Sequence, residues 1–226
     1  MNQNLDLDPF WWEAAPRREL DEKPLPTETD VAIVGSGFAG SSAGLVLARA
    51  GRKVTVLEKD RPGEGASSRN GGIASGNLRM TFGTMIKTYG VERAKAIYSE
   101  GFRAREDLKR FVEHENIECD YGEVGRWTGA NRPKHYESQA READFINEHF
   151  DTGVYMVAKA DQHSEIGSDL YFGGQIRPDI HGVHPGKLHH GILARAMEAG
   201  VDVQNRTEVT GIEQERERFE VQTSRG

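Results

Sequence analysis

Three glycines, Gly35, Gly37 and Gly40, carry the clearest chemical signal in the chain, because their spacing is G-x-G-x-x-G. In a unit that binds a dinucleotide, the first glycine permits a tight turn and the second lets the backbone approach a pyrophosphate. The third lets a helix pack closely on a strand. The N-terminus of that helix adds free N–H groups and a positive dipole end. The spacing therefore predicts phosphate binding, provided that a strand precedes the glycines and a helix follows them.

The elements that would position these glycines occupy Asp30–Lys59, a segment of about thirty residues. Val31–Val34 is an apolar run typical of a buried parallel strand. The next apolar stretch is predicted as a helix that ends at Gly51, and Lys53–Leu57 is predicted as a second strand. Glu58 closes that strand, where a carboxylate can accept hydrogen bonds from an adenosine ribose. Because the same carboxylate would repel a 2′-phosphate, NADP is disfavoured as the ligand.

A second glycine-rich segment, GASSRNGG, follows the second strand and separates a flavin interpretation from a nicotinamide one. A nicotinamide dehydrogenase usually continues into another βα unit, whereas a polar loop intervenes here. The loop offers hydrogen-bond donors and glycines that permit close backbone approach: Ser67, Ser68, Arg69, Asn70, Gly71 and Gly72. Such a loop could cover a pyrophosphate and reach the edge of a flavin ring. Composition alone leaves a flexible, solvent-exposed loop equally open.

Composition limits the classes of protein that fit the chain. Its 226 residues allow one large domain or two small ones. The net charge of -7 and the pI near 5.7 argue against binding to nucleic acid or an anionic membrane. Cys119 is the single cysteine, so no intramolecular disulfide is possible and a buried thiol is expected. No segment approaches the ~20 apolar residues of a membrane span, and no signal peptide is evident, so a cytoplasmic protein is predicted.

Two further groups of residues invite chemical interpretations. Four histidines lie close together in sequence: His181, His184, His189 and His190. We predict no metal site from them, because a cysteine or an acidic partner in helical register is missing, and we expect surface histidines at the start of a helix. Arg79 could face a substrate carboxylate, although an exposed or salt-bridged arginine is the commoner case. The sequence assigns no catalytic residue.

Periodicity predicts further elements outside the glycine motifs. Helices are expected at Phe82–Tyr89, from Glu92 onward, near Ser138–Phe150 and at Lys187–Ala199. Extended pieces are expected at Val154–Ala158, Leu170–Phe172 and Val201–Val203, and a hairpin at Glu208–Glu213 and Arg218–Thr223. Only the strands near Val31, Val54 and Val201 suit a parallel sheet, which therefore looks incomplete. The aromatic residues Phe10, Trp11 and Trp12 of the N-terminal arm are expected to pack against the body of the protein.

Taken together, the motifs DVAIVGSGFAG, VTVLEKD and GEGASSRNGG resemble the D-amino-acid-oxidase-like family of FAD-dependent oxidoreductases. The similarity is greatest to the branch of gamma-glutamylputrescine oxidoreductase and the glycine and sarcosine oxidases. It extends to IECDYGEVG, YFGGQIRPDIHGVHPGKL and TEVTGI. The resemblance implies an α/β fold, with a Rossmann-like FAD-binding domain of the glutathione-reductase type and an interleaved, incomplete α+β substrate domain. It implies FAD contacts from Gly35, Ser36, Gly37, Phe38, Ala39, Gly40, Glu58, Lys59, Ser67, Ser68, Arg69, Asn70, Gly71, Gly72 and Val209.

The same resemblance implies an activity and a domain organisation. The activity is oxidation of the C–N bond of an amine or amino acid to an imine, with hydride transfer to flavin N5. The expected segments are an arm at 1–29, an FAD-binding Rossmann segment at 30–80, a helical substrate-domain segment at 81–180 and a return to the FAD-binding domain at 181–226. Family members are considerably longer, so a missing C-terminal half or a second chain is expected. The alternative is an FAD- or nucleotide-binding module without turnover.

Overall fold

The computed structural model describes residues 8–226. Its helices are α1 (Trp11–Ala14), α2 (Phe38–Arg49), α3 (Phe82–Tyr89), α4 (Val91–His114), α5 (Pro133–His149) and α6 (Pro185–Glu198). Its strands are β1 (Val31–Val34), β2 (Val54–Leu57), β3 (Ile73–Ala74), β4 (Arg126–Gly129), β5 (Tyr155–Val157), β6 (Gly174–Arg177), β7 (His181–Gly182), β8 (Asp202–Gln204), β9 (Val209–Glu215) and β10 (Arg218–Thr223).

The described chain divides into two units, each made of separate stretches of sequence. Unit 1 comprises residues 8–72, 114–120 and 184–226. Unit 2 comprises residues 73–113 and 121–183. The chain therefore leaves unit 1 after the glycine-rich loop, returns to it for residues 114–120, and returns again at the start of α6.

Unit 1 is built on a parallel sheet with the strand order β1–β2–β8. The register pairs Val31 with Val54 and Thr55 with Asp202. The central strand β2 is buried along its whole length, because it has a neighbour on each side and helices against it. Helix α2 connects β1 to β2 and packs against α6, which precedes β8. The sequence predicted these three strands and both helices.

Two further features complete unit 1. Strands β9 and β10 form the predicted antiparallel hairpin, with a bulge between Gln222 and Thr223. The side chain of Glu115 is buried, and both of its oxygens accept hydrogen bonds from Arg49 of α2, at 2.6 and 2.8 Å. This bidentate ion pair fixes the 114–120 segment against α2. Cys119 is buried in the same segment, as expected.

Unit 2 combines an antiparallel sheet with an aromatic core. The sheet has the order β4–β6–β5, and a separate short ladder pairs β3 with β7. Helix α5 packs on β5 and β6. Phe82 of α3 lies at the centre of the core, with its ring centroid 5.3 Å from Tyr98 and 4.9 Å from Phe150. These tilted and edge-on contacts are the arrangements that aromatic quadrupoles favour.

Several details of unit 2 differ from the sequence predictions. Leu170–Phe172 is a series of bends and not a strand, because Leu170 is 71% exposed and the strand begins only at Gly174. Strands β3, β4, β6 and β7 were not predicted. In β4, for example, Trp127 is the one large apolar residue and no alternation of side chains marks the strand. The predicted elements α3, α4, α5 and β5 are all present.

Candidate nucleotide-binding site

The glycine turn lies in unit 1 where β1 ends and α2 begins. Gly35 has φ 90°, and its N–H donates to the carbonyl of Leu57 at 2.8 Å. Gly37 occupies the N-cap position of α2 and, as a glycine, contributes no capping side chain of its own. A Cβ at Gly40 would collide with the carbonyl oxygen of Gly35, so the turn folds back directly onto the first turn of α2. The backbone therefore takes the form that the glycine spacing predicted.

Glu58 closes β2 and holds the glycine turn in place. Its Oε2 accepts hydrogen bonds from the Ser36 N–H at 2.8 Å and the Ser36 hydroxyl at 2.7 Å. Its Oε1 accepts the N–H of Asp60 at 3.1 Å. The backbone carbonyl of Glu58 accepts the N–H of Thr207 at 2.7 Å, which extends the parallel ladder beyond β8. Glu58 therefore links the glycine turn to the segment that leads into β9.

The second glycine-rich loop is hydrogen-bonded and not a free loop. Residues Ala66–Ser68 form a turn of 3₁₀ helix. The Ser67 hydroxyl accepts the N–H of Phe38, the first residue of α2, at 3.0 Å. Ser68 donates to the carbonyl of Gly63, and the Asn70 side chain bridges Ser67 and Gly72. The loop is therefore fixed against the N-terminus of α2, with Ser67 at the place where phosphates would be expected.

The arm before β1 contributes two tryptophans to this loop. Trp12 is 7% exposed, and its indole N–H donates to the Ser68 hydroxyl at 2.8 Å. The indole N–H of Trp11 donates to the carbonyl of Asn70 at 2.8 Å. These two residues pack against the body as expected, whereas Phe10 is 72% exposed. The arm therefore supports the loop by direct hydrogen bonds, a role that its composition did not indicate.

The predicted cofactor-binding residues fall into a central set and a peripheral set. The central set surrounds the start of α2 and consists of Gly35, Ser36, Gly37, Phe38, Ala39, Gly40, Glu58, Ser67 and Ser68. The peripheral set is more exposed or further along the chain and consists of Lys59, Arg69, Asn70, Gly71, Gly72 and Val209. Val209 begins β9, two residues after the Thr207 N–H that bonds Glu58. All of these residues belong to unit 1.

The expectation of surface histidines is wrong for three of the four. His181, His184 and His189 are 6%, 8% and 0% exposed. His184 caps α6, since its Nδ1 accepts the Lys187 N–H at 3.2 Å. His181 belongs to unit 2, where its Nδ1 lies 2.8 Å from the Tyr121 hydroxyl. Within residues 8–226, no three histidine, cysteine or acidic side chains are grouped so as to hold a metal ion.

His189 is the site residue that the sequence interpretation missed. Its Nε2 lies 2.8 Å from the carbonyl oxygen of Ser36, inside the glycine turn. Burial lowers the pKa of its imidazole, which keeps the ring neutral at physiological pH. The feature of the sequence that could have indicated its burial is its position beside Leu188 and one turn before Leu193, on the apolar face of the predicted helix. Arg79, the other residue considered for chemistry, is exposed.

Comparison with known proteins identifies the class to which this site belongs. Residues 30–226 match the family model of the FAD dependent oxidoreductases, DAO. The match includes the glycine turn, Glu58, the second loop and Val209. The chain therefore belongs to this family of FAD-dependent oxidoreductases, as the sequence motifs predicted, and FAD is the cofactor of the family.

Individual relatives support the same assignment. The chain is 26% identical over 196 residues to the probable oxidoreductase OrdL of Haemophilus influenzae, covering 87% of this chain and 46% of that protein. It is 30% identical over 156 residues to gamma-glutamylputrescine oxidoreductase of Escherichia coli, covering 69% of this chain and 36% of that protein. The crystal structure of glycine oxidase from Geobacillus kaustophilus superposes with a TM-score of 0.72 at 23% identity, covering 88% and 52% of the two chains.

The comparisons also describe the fold of the chain and the share of its relatives' length that it spans. The mixed α/β fold is that of the glycine oxidase structure. The chain spans about half, or less, of the length of these relatives, namely 46%, 36% and 52%. Among the described residues, none of the helices has both the length and the apolar character needed to cross a membrane.

Proposed function

We propose that the chain forms the FAD-binding part of an enzyme that oxidises the C–N bond of an amine or amino acid to an imine. The observation that carries the proposal is the convergence of the glycine turn, Glu58 and Ser67 at the N-terminus of α2. The names of gamma-glutamylputrescine oxidoreductase and glycine oxidase support the substrate class. When bound, FAD would supply the acceptor, at flavin N5, for the hydride that leaves the substrate carbon.

The residues of unit 1 fit a dinucleotide. A Cβ at Gly37 would lie 2.9 Å from the Ser67 hydroxyl oxygen, so the second loop lies directly against the glycine turn, and the flexible Ser67 side chain is the group that a pyrophosphate at this place would displace. The first N–H groups of α2 have no carbonyl partners inside the helix, and that of Phe38 is accepted by the Ser67 hydroxyl. The positive end of the helix dipole, together with the remaining N–H groups, suits a pyrophosphate. The carboxylate of Glu58 suits the hydroxyls of a ribose, and the backbone at Val209 suits an adenine. The loop residues Ser67–Gly72 would cover the phosphates.

In this proposal unit 1 is a Rossmann-like FAD-binding domain of the glutathione-reductase type, and unit 2 is part of a substrate domain. The predicted boundaries at 1–29, 30–80, 81–180 and 181–226 belong to the same proposal. The main-chain groups of unit 1 orient the cofactor, and the hydrogen-bonded Ser67–Gly72 loop keeps water from the phosphates. A small-molecule amine or amino acid is the proposed substrate, and the cytoplasm stays the predicted location.

An FAD- or nucleotide-binding module without turnover is the second candidate. Every proposed cofactor contact lies in unit 1, which is compatible with this alternative. It requires the cofactor contacts of unit 1 but no substrate site. In that case a C-terminal half or a second chain would supply the remaining part of the enzyme.

Titration of the purified chain with FAD and with NADP, followed by flavin fluorescence and calorimetry, tests the proposal. Glu58→Ala should weaken FAD binding by about 1.5–3 kcal/mol, because a charge-assisted hydrogen bond is lost. The matched control is Glu118→Ala, which removes an exposed carboxylate of the same unit and should leave FAD binding unchanged. Tight NADP binding without FAD binding would refute the cofactor assignment. Reduction of bound flavin by added amines or amino acids favours the oxidoreductase, and binding without reduction favours the module.

A further inference from the structure

We infer that His189 is a positioning residue that orients the peptide between Ser36 and Gly37 for the pyrophosphate, an inference that rests on the proposed FAD site. No sequence motif identifies this histidine, and it lies 153 positions from Ser36 in the sequence.

The hydrogen bonds show which nitrogen carries the proton. A backbone carbonyl oxygen only accepts, so the Nε2 of His189 must be the donor in its 2.8 Å contact with Ser36. The same carbonyl accepts the hydroxyl of Ser41 at 2.8 Å. The N–H and hydroxyl of Ser36 both donate to Glu58. Every polar group of Ser36 is therefore held, with the His189 ring fixing one side of the turn.

The geometry of the peptide group converts this contact into a direction for Gly37. In a trans peptide the C=O and the following N–H point to opposite sides. Because His189 and Ser41 hold the Ser36 carbonyl, the N–H of Gly37 is directed away from the His189 ring. Gly37 is the N-cap of α2 and the glycine of closest approach in the dinucleotide motif. His189, together with Ser41, therefore sets the orientation of the N–H group that a phosphate would meet first.

The burial of His189 indicates that this side chain has a role other than packing. The ring is 0% exposed, and its Nδ1 has no hydrogen-bond partner among the described residues. Its neighbours on the buried face of α6, such as Leu188 and Leu193, are apolar. A buried ring nitrogen without a hydrogen-bond partner lowers the stability of the fold, and an apolar side chain at the same position would avoid this cost. A Cβ added at Gly63 would lie 3.2 Å from Nδ1, so the ring lies between the glycine turn and Gly63, whose carbonyl accepts the Ser68 hydroxyl of the second loop.

Three substitutions separate donation by Nε2 from filling of space. The side-chain amide of glutamine reaches the Nε2 position, that of asparagine is too short to reach it, and leucine has no donor. We expect His189→Leu and His189→Asn to raise the Kd for FAD at least tenfold, equal to about 1.4 kcal/mol. His189→Gln should stay within threefold of the unaltered chain. The control Leu193→Ala removes a fully buried side chain of the same helix and should lower the melting temperature without changing the Kd.

A second measurement does not depend on cofactor binding. In the ligand-free chain, the amide resonance of Gly37 should move in His189→Leu, return toward its original position in His189→Gln and stay in place in Leu193→Ala. An unmoved Gly37 resonance in His189→Leu, or an equal loss of FAD affinity in Leu193→Ala, would overturn the role of His189. Absence of FAD binding by the unaltered chain would instead overturn the proposed function, while the Gly37 resonance would still decide whether His189 holds the turn.

Discussion

The two units bury different kinds of side chain. Unit 1 places Ser36, Ser68 and His189 in its interior at 0%, 2% and 0% exposure, and each contributes a hydrogen bond to the glycine turn or the second loop. The core of unit 2 is dominated by aromatic rings around Phe82, with Phe150 among its neighbours. In unit 1, buried polar side chains therefore hold the glycine turn and the second loop by hydrogen bonds. In unit 2, the buried aromatic side chains mainly pack against one another. Substitutions in the interior of unit 1 are therefore expected to disturb cofactor binding, and those in the aromatic core of unit 2 to disturb stability alone.

The two units share one structural feature, a close contact between two backbone segments at a pair of glycines. In unit 1 the pair is Gly35 and Gly40, and in unit 2 it is Gly76 and Gly101. A Cβ on Gly40 or Gly101 would meet the carbonyl of its partner in each case. Gly101 lies inside α4, where glycine usually costs stability, so the close contact with Gly76 explains its presence.

The largest effect is expected from Gly40→Ala. Its Cβ would collide with the Gly35 carbonyl, which is backbone and cannot move without opening the glycine turn. We expect unit 1 to lose more than about 3 kcal/mol of folding free energy and all FAD binding, as overpacking of this severity implies. Calorimetry and FAD titration measure both losses. Gly65→Ala is the control, because no atom lies within 4 Å of a Cβ there; equal losses in both variants would contradict the steric explanation.

Phe82→Ala should give the next largest effect, confined to stability. Removal of a ring that contacts Tyr98 and Phe150 leaves a cavity, and such losses are typically about 3–5 kcal/mol. The affinity for FAD of the folded fraction should be unchanged, since no proposed cofactor ligand lies in unit 2. Chemical denaturation followed by FAD titration checks both statements. Leu170→Ala, at a residue 71% exposed, should be nearly neutral; weakened FAD binding in Phe82→Ala would remove the functional distinction between the units.

Gly37→Ala should separate binding from folding in unit 1. The added Cβ would meet the Ser67 hydroxyl oxygen at 2.9 Å, and this flexible side chain can move at little cost to stability. The same Cβ would enter the space proposed for the pyrophosphate, so we expect FAD affinity to fall at least a hundredfold, about 2.7 kcal/mol. Circular dichroism should show unchanged helix content. Full flavin occupancy would mean that the glycine triplet serves only as a turn.

Glu115→Gln should give the smallest effect and a dependence on pH. The guanidinium of Arg49 lowers the pKa of Glu115 from 4.5 to about 2. Because the folded-state pKa is depressed, the pair stabilises the protein above pH about 4.5, and this stabilisation is lost as pH falls toward 2. The substitution should cost about 1 kcal/mol at pH 7, since Arg49 is half exposed.

Thermal melts at several pH values test this last prediction. The difference in melting temperature between the unaltered chain and Glu115→Gln should shrink as the pH falls from 4.5 toward 2. Glu118→Gln, at an exposed carboxylate nearby in sequence, is the control and should show a constant difference near zero. A difference that grows at acid pH would have the wrong sign for this ion pair.

The sequence predicted unit 1 better than unit 2 because the signals in unit 1 are local. The order of strand, glycine turn, helix, strand and acid in Asp30–Lys59 depends on neighbouring residues, and β1, α2 and β2 form as predicted. In unit 2, β6 begins with Gly174 and its partners β4 and β5 are short. Pairing among such strands depends on residues far apart in the chain, so β4 was missed and Leu170–Phe172 was wrongly assigned.

The sequence was sufficient to predict the glycine turn, the family and its cofactor, because these depend on residue types at fixed spacings. It did not determine that His189 would be buried against Ser36 or that Trp12 would donate to Ser68. Those contacts join residues 153 and 56 positions apart, and they exist only after α6 and the arm have packed in unit 1. The tertiary structure decided them, because the burial and hydrogen-bond partners of a side chain depend on which distant elements surround it.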